Sequence, residues 1–186
     1  MTADLHQLQR DAYGNACVKG WHERPLRDAG VVDHDRVLAK LALVHSEISE
    51  AWIAVQERDV PLRIDDSTGK PEGFVVEIAD AVIRILDLCG ALGVAVSNYV
   101  AAGWPAVDCR TFLGFSDELH RARYLLDQAT EAARVDDWRA FGCRLGETLT
   151  KLAQLCVMVK VDLVEAIAVK MAYNTTRPHR HGGKKA

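Results

Sequence analysis

Two pairs of carboxylate residues have the clearest chemical potential in this sequence. Glu47 and Glu50 lie in LVHSEISEAW, and Glu77 and Asp80 lie in FVVEIADAVIRILD. The members of each pair are three residues apart, so on a helix both acids project from one face. Apolar residues surround them, and unpaired carboxylates are costly to bury in such surroundings. A divalent cation held between two neighbouring helices would remove that cost.

The ligand atoms limit the identity of the cation. Four carboxylates supply only oxygen, which favours Mg²⁺ or Mn²⁺ over Zn²⁺. A simpler interpretation stays open, because acids three residues apart on a helix often form a solvated edge. Two such pairs on consecutive predicted helices, each among core residues, favour the metal site.

The ExxE motif followed by ExxD on the next helix resembles the metal-binding motif of the MazG family of all-α nucleoside triphosphate pyrophosphohydrolases. The segments EIADAVIRILDLCG and KMAYNTTRPHRHGGKK are similar to phage-type members of that family. The likeness covers most of the chain and is weakest over 99–140. Family members often carry a glutamate before each pair, where this chain has Ser46 and Val76.

This resemblance implies an Mg²⁺-dependent enzyme, with Mn²⁺ as a substitute, that converts a nucleoside triphosphate into the monophosphate and pyrophosphate. It implies four residues that are both metal ligands and catalytic: Glu47, Glu50, Glu77 and Asp80. The N-terminal and tail segments look like the MazZ-like phage group, which acts on purine nucleotides. The first substrate expectation is therefore dGTP or GTP.

The C-terminal segment is predicted to contact the substrate. In the resembling family a lysine and an asparagine after the last core helix face the triphosphate, which carries over to Lys170 and Asn174. Arg177, His181 and Lys184 follow, and cationic side chains there would suit phosphate oxygens. A solvated basic tail is the alternative for these three.

Four other residues are candidate substrate contacts. Lys19 and Trp21 lie in a KGW segment similar to the phage proteins, which implies that they approach a phosphate and the base. The alternative for Trp21 is an aromatic side chain that packs at the end of the first helix. Arg84 and Asp87 share the helix face of Asp80. Asp87 is a candidate contact for metal or sugar. The alternative for both residues is structural, with Arg84 paired to Asp80 or Asp87 so that it holds the carboxylates in place.

Six helices are predicted to position these groups. Their apolar periodicity, caps and glycines place them over about 3–19, 33–57, 74–96, 116–134, 137–159 and 162–173. The turn-rich stretch 58–72 is predicted as a loop that could overhang the site. The expected fold class is all-α.

The later helices repeat the earlier ones. FVVEIADAVIRILDLCGALGV (74–94) aligns with FGCRLGETLTKLAQLCVMVKV (141–161), and SEISEA (46–51) aligns with DQATEA (127–132). Core positions persist, whereas Glu47 aligns with Gln128 and Glu77 with Arg144. We therefore predict one domain, 1–186. It would contain an active half at 35–98 with the acidic motif intact, a degenerate half at 117–160 that has lost it, and a phosphate-contacting segment at 162–186. The two halves would form a pseudo-symmetric four-helix core.

Composition places the chain among soluble globular proteins, with 49% apolar and 26% charged residues. A net charge of −3 gives no electrostatic case for nucleic-acid binding, and no apolar run is long enough for a membrane span. Five scattered cysteines without a CxxC motif predict buried, reduced thiols and a cytoplasmic location, the host cytoplasm if the protein is phage-encoded. Family members are commonly dimers or tetramers, which implies a homo-oligomer.

Two other functional classes stay open. A carboxylate-bridged di-iron bundle is the weaker one, because it normally requires two Glu-x-x-His pairs and the sequence contains none. The other is a non-catalytic helical protein for nucleotide binding or interaction, in which the acids only solvate an edge.

Overall fold

The computed structural model describes residues 4–105 and 114–183. Over these residues the chain is mostly helical with only short strands, which confirms the all-α prediction. The helices are α1 (Leu5–Val18), α2 (His34–Gln56), α3 (Phe74–Leu92), α4 (Phe115–Arg134), α5 (Trp138–Met158), α6 (Leu163–Thr176) and the short α7 (Arg180–Gly183). A 3₁₀ helix spans Val96–Tyr99.

Two small antiparallel hairpins occupy the connections on either side of α2. The first pairs β1 (Arg27–Asp28) with β2 (Val31–Val32), and the second pairs β3 (Arg63–Ile64) with β4 (Pro71–Glu72). The second hairpin lies within the stretch 58–72, which the sequence predicts only as a loop.

Aspartate side chains set the starts of four long helices. Asp4, Asp33, Asp137 and Asp162 each precede a helix and accept hydrogen bonds from backbone N–H groups in its first turn. The end of α3 is set by Gly93, whose φ of 70° is in the left-handed region that favours glycine. The helix therefore ends before the predicted limit near 96.

Helix α3 is the centre of the fold. It packs along α2 and contacts α1, α5 and α6, while α4 packs along α5 and also contacts α2. Most of the surface of α3 is apolar and buried, and its one polar face carries Glu77, Asp80, Arg84 and Asp87. The buried residues of α3 are Phe74, Val75, Val76, Ile78, Ala79, Ala81, Val82, Ile85, Leu86, Leu88, Cys89 and Leu92.

The 3₁₀ helix lies unusually close to α5. A Cβ atom added at Gly146 would lie 2.4 Å from the carbonyl oxygen of Tyr99, and one added at Gly142 would lie 2.4 Å from the Tyr99 ring. Two glycines one turn apart on α5 therefore make room for Tyr99.

Core positions aligned between the two halves are buried in both halves, for example Phe74 with Phe141 and Cys89 with Cys156. The ion pairs differ between the two halves. Arg84 pairs with Glu47 on α2. Its counterpart Lys151 pairs with Glu118 on α4, with Nζ 2.7 Å from Oε2, and not with Gln128, the counterpart of Glu47. The pseudo-symmetry of the halves stays a prediction.

The cysteine prediction is partly wrong. Cys89 and Cys156 are buried, but Cys17 is exposed near the end of α1 and Cys143 is half-buried on α5. All four are free thiols, and Cys109 lies outside the described residues. Among the described helices, none combines the length and the apolar character needed to cross a membrane.

Candidate metal and phosphate site

Helices α2 and α3 bring together three of the four predicted carboxylates. Glu47, Glu77 and Asp80 each offer an oxygen atom, and these atoms lie within 4.8 Å of one another. Glu47 is buried, and the other two are half-buried. We call these three residues the carboxylate cluster.

Glu50 lies outside the carboxylate cluster. Its side chain is exposed and accepts a hydrogen bond from Ser46 Oγ at 3.0 Å. It is still near enough for its charge to raise the pKa of Glu47 and Glu77. A role for Glu50 as a metal ligand stays a prediction.

Burial and mutual repulsion shape the electrostatics of the carboxylate cluster. Burial, followed by the charge of Asp80, raises the pKa of Glu77 to about 7, although Lys170 opposes the shift. Burial also raises the pKa of Glu47 and outweighs the opposing effect of Arg84. The positive charges of Arg84 and Lys170 therefore do not fully offset the effect of burial on the pKa values of Glu47 and Glu77.

Two cationic side chains reach into the carboxylate cluster. Lys170 Nζ lies 2.6 Å from Asp80 Oδ2. Arg84 uses both Nε and Nη2 to reach Glu47 Oε1, each at 2.7 Å. The expectation that Arg84 pairs with Asp80 or Asp87 is therefore wrong, because those two carboxylates are paired with other cations and Glu47 is buried on the facing helix.

A pocket of about 460 Å³ adjoins the carboxylate cluster and shares Asp80 with it. Residues of α1, α2, α3 and α6 line it, and its volume is in the range of small-molecule sites. Six of the predicted substrate residues lie in its wall: Lys19, Trp21, Arg84, Asp87, Asn174 and Arg177. The pocket thus brings together residues from both ends of the sequence.

The lining of this pocket combines positive charge with apolar surface. Five cationic side chains line it, namely Lys19, Arg36, Lys40, Arg84 and Arg177, against the three carboxylates of Asp35, Asp80 and Asp87. The apolar part is formed by Ala12, Ala16, Trp21, Ala39, Leu43 and Ile83. An anion with an apolar portion, such as a nucleotide, matches this lining.

The other predicted substrate contacts are Lys170, His181 and Lys184. Lys170 is buried in its ion pair with Asp80, His181 belongs to α7, and Lys184 lies outside the described residues. Lys19 has a structural contact as well. Its Nζ donates to the carbonyl oxygens of Thr175 at 2.7 Å and Arg177 at 2.6 Å, and so caps the C-terminus of α6.

Asp87 is held by two residues that the sequence analysis missed. Its Oδ1 lies 2.6 Å from His22 Nε2, and its Oδ2 lies 2.9 Å from Lys40 Nζ. A signal for Lys40 was present, because Arg36, Lys40 and Glu47 are spaced so as to fall on one face of α2. No comparable signal marked His22, whose contact with Asp87 depends on tertiary packing.

The donor set of the carboxylate cluster fits a divalent cation. Oxygen atoms within 4.8 Å of one another are compatible with Mg²⁺ or Ca²⁺, which bind oxygen at about 2.0–2.6 Å. This donor set suits hard divalent cations in general.

Comparisons of this chain with protein-family models, with curated proteins and with solved structures find no match.

Proposed function

We propose that this protein is a divalent-cation-dependent hydrolase that converts a nucleoside triphosphate into the monophosphate and pyrophosphate. The observation that carries the proposal is the carboxylate cluster at the edge of a pocket lined by five cationic side chains. Carboxylate oxygens suit a hard divalent cation, and guanidinium and ammonium groups suit phosphate oxygens. A polyphosphate that binds together with a metal ion requires both sets of groups, and the motif resemblance supports the same conclusion.

The residues of the site have separate roles in this proposal. Glu47, Glu77 and Asp80 would hold Mg²⁺, or Mn²⁺ in its place. When bound, the ion supplies positive charge that favours attack on phosphorus and stabilises the charge that develops there.

Glu50, exposed beside the carboxylate cluster, accepts a proton from water as the water oxygen attacks the α-phosphorus. The bond from the α-phosphorus to the bridging oxygen breaks, and pyrophosphate leaves with the bonding electrons. Lys40 and Arg177 in the pocket wall bind the oxygens of the leaving pyrophosphate.

Guanine nucleotides are the first candidates for the substrate, on the strength of the resemblance to the phage-type group. The pocket adds a reason to expect a purine-sized apolar group, since Trp21 and three alanines supply apolar surface beside the cationic side chains. Initial rates with each dNTP and NTP at limiting concentration measure the preference. A flat profile would contradict a guanine preference but not the hydrolase itself.

The test of the proposed reaction is pyrophosphate release in Mg²⁺ by the Glu50→Gln and Asp80→Asn variants. We expect each variant to lose about a hundredfold or more in turnover, as for other groups that act on the transition state. The matched controls are Glu131→Gln and Glu147→Gln, the exposed acids that align with Glu50 and Asp80. These controls should keep wild-type turnover.

Two outcomes would contradict the proposed function. One is near-wild-type turnover by the Asp80→Asn variant. The other is the absence of Mg²⁺-dependent pyrophosphate release by the wild type from a mixed pool of NTPs and dNTPs. Nucleotide binding without release would favour the non-catalytic alternative.

A further inference from the structure

Two of the three carboxylates in the carboxylate cluster are held by cationic side chains rather than left open. Lys170 approaches Asp80 from α6, and Arg84 approaches Glu47 from α3. A divalent cation bound by the same carboxylates would have to share their charge with these two side chains. Lys170 and Arg84 are thus placed where they would compete with a metal ion for these carboxylates.

Lys170 is the more unusual of the two. It is 4% exposed, and lysine is almost never buried to this degree unless it is paired. Its partner Asp80 lies both in the carboxylate cluster and in the wall of the pocket. The ion pair therefore stands at the boundary between the candidate metal site and the candidate phosphate site.

The position of α6 does not depend on this ion pair. Leu163, Ala166 and Ile167 are buried in the core, Asp162 caps the start of the helix, and Lys19 caps its end. If Lys170 releases Asp80, the helix stays in place and only the flexible four-carbon side chain has to move.

The surroundings offer Lys170 another partner. Asn174 lies one turn further along α6, and its Oδ1 is buried without a hydrogen-bond partner among the described residues. Asn174 also lines the pocket, so an ammonium group moving from Asp80 towards Asn174 would stay beside the space for phosphate. Arg84, whose side chain is 40% exposed, already lines the same pocket.

We propose that Lys170 and Arg84 are built-in counter-ions that a divalent cation displaces from Asp80 and Glu47, and that then bind the triphosphate. This inference rests on the proposed function. It makes metal binding and nucleotide binding cooperative, because the ion releases the side chains that the nucleotide needs. Thermodynamic linkage requires the nucleotide to favour metal binding by the same factor.

The proposal makes opposite predictions for the two ligands. Removing a competing positive charge should strengthen binding of a metal ion alone, by about tenfold for one charge at this distance in a partly screened site. The same change should weaken binding of the triphosphate, because a phosphate-binding cation is lost. A merely structural lysine or arginine would not shift the two affinities in opposite directions.

The experiment titrates the full chain with Mn²⁺ alone in alkaline buffer and follows free Mn²⁺ by electron paramagnetic resonance. We expect Lys170→Met and Arg84→Met to bind Mn²⁺ about tenfold more tightly than the wild type. Lys170→Arg keeps the charge and should not gain affinity. The matched control is Arg144→Met, which removes a cation paired with Glu147 on the surface of α5 and should leave Mn²⁺ affinity unchanged.

A second titration adds the α,β-imido analogue of dGTP at saturating Mn²⁺. Lys170→Met and Arg84→Met should bind this analogue about tenfold more weakly than the wild type. If Lys170→Met does not fold, Arg84→Met decides the question. The side chain of Arg84 is more exposed than that of Lys170, so its replacement disturbs the fold less.

The outcomes separate this inference from the proposed function. If the wild type binds Mn²⁺ and the folded variants bind it no more tightly, the counter-ion proposal is wrong and the proposed function stands. If the variants behave as expected but no nucleotide releases pyrophosphate, only the proposed function is wrong. A wild type that binds no Mn²⁺ would overturn both.

Discussion

At the scale of single residues, Glu77 differs from its two neighbours in the carboxylate cluster. Glu47 is paired with Arg84 and Asp80 with Lys170, whereas Glu77 has no ion pair with a described residue. Its pKa of about 7 follows from burial and from the charge of Asp80. In the absence of a metal ion, Glu77 therefore holds a proton at pH values well above those at which a solvent-exposed glutamate loses it.

This pKa predicts how stability depends on pH. The folded protein keeps a proton on Glu77 that the unfolded chain releases near its ordinary pKa of 4.5. The contribution of Glu77 to stability is thus fullest below about pH 4.5 and is lost as pH rises towards 7. The shift corresponds to at most about 3 kcal/mol, and solvent screening of this partly exposed group reduces it to about 1–2 kcal/mol.

Urea unfolding in EDTA between about pH 4.5 and pH 8 measures this effect. The wild type should lose about 1–2 kcal/mol more of its free energy of unfolding over this range than Glu77→Gln, in which the position cannot titrate. Equal pH dependence of the wild type and the variant would show that Glu77 titrates normally.

At the scale of elements, close contact between α5 and the 3₁₀ helix makes Gly146 hard to replace. The Cβ of Gly146→Ala would meet the backbone carbonyl of Tyr99, which cannot rotate away as a side chain can. We expect the variant to lose about 1–3 kcal/mol of stability, the usual cost of overpacking. Thermal or urea unfolding measures the loss.

Gly14→Ala on α1 is the matched control for Gly146→Ala. No atom lies within 4 Å of a Cβ added at Gly14, so the higher helix propensity of alanine should stabilise the protein by up to about 1 kcal/mol. Equal effects of the two substitutions would contradict the close packing of Tyr99 on α5.

The sequence predicts the long helices well because their local signals agree. Apolar residues recur with helical period, and Asp4, Asp33, Asp137 and Asp162 stand where caps are needed. The apolar pattern of α3 continues past Gly93, so it predicts an end for the helix that is too late. A left-handed glycine ends a helix even where the apolar pattern goes on.

The candidate site was predictable only in part. The spacing of acids within each helix puts Glu77 and Asp80 on one face, and helix packing was needed only to bring Glu47 beside them. The partner of Arg84 could not be read from spacing, because it depends on the rotation of α2 against α3. The same is true of His22, whose partner Asp87 lies 65 residues away.

At the scale of the whole molecule, metal binding should stabilise the fold in a pH-dependent way. A metal ion binds ionised carboxylates, so Glu77 must lose its proton before it can serve as a ligand. Above pH 7 we expect Mg²⁺ at a hundred times its Kd to add about 2.7 kcal/mol of stability, and near pH 5 to add much less.

Thermal unfolding with and without Mg²⁺ at the two pH values measures this stabilisation, with Asp80→Asn as the variant that should lose it. The Glu147→Gln control should respond as the wild type does. Stabilisation by Mg²⁺ that is equal in Asp80→Asn and the wild type would mean that the ion binds elsewhere.

The homo-oligomer implied by the family resemblance stays a prediction. Sedimentation equilibrium of the full chain should give two or four times the mass of the 20.5 kDa protomer. A mass of one protomer across the concentration range would contradict it.

The contacts that join the end of α1 to the segment after α6 have a consequence for the order in which the protein is made. Lys19 reaches the carbonyl of Thr175, and Arg180 Nε returns to the carbonyl of Gly20 at 3.1 Å, so these contacts span 156 and 160 residues of sequence. A ribosome that has synthesised α1 to α5 has not yet made Asn174 or Arg177. The growing polypeptide can therefore assemble most of its helical scaffold well before it can complete the wall of the pocket.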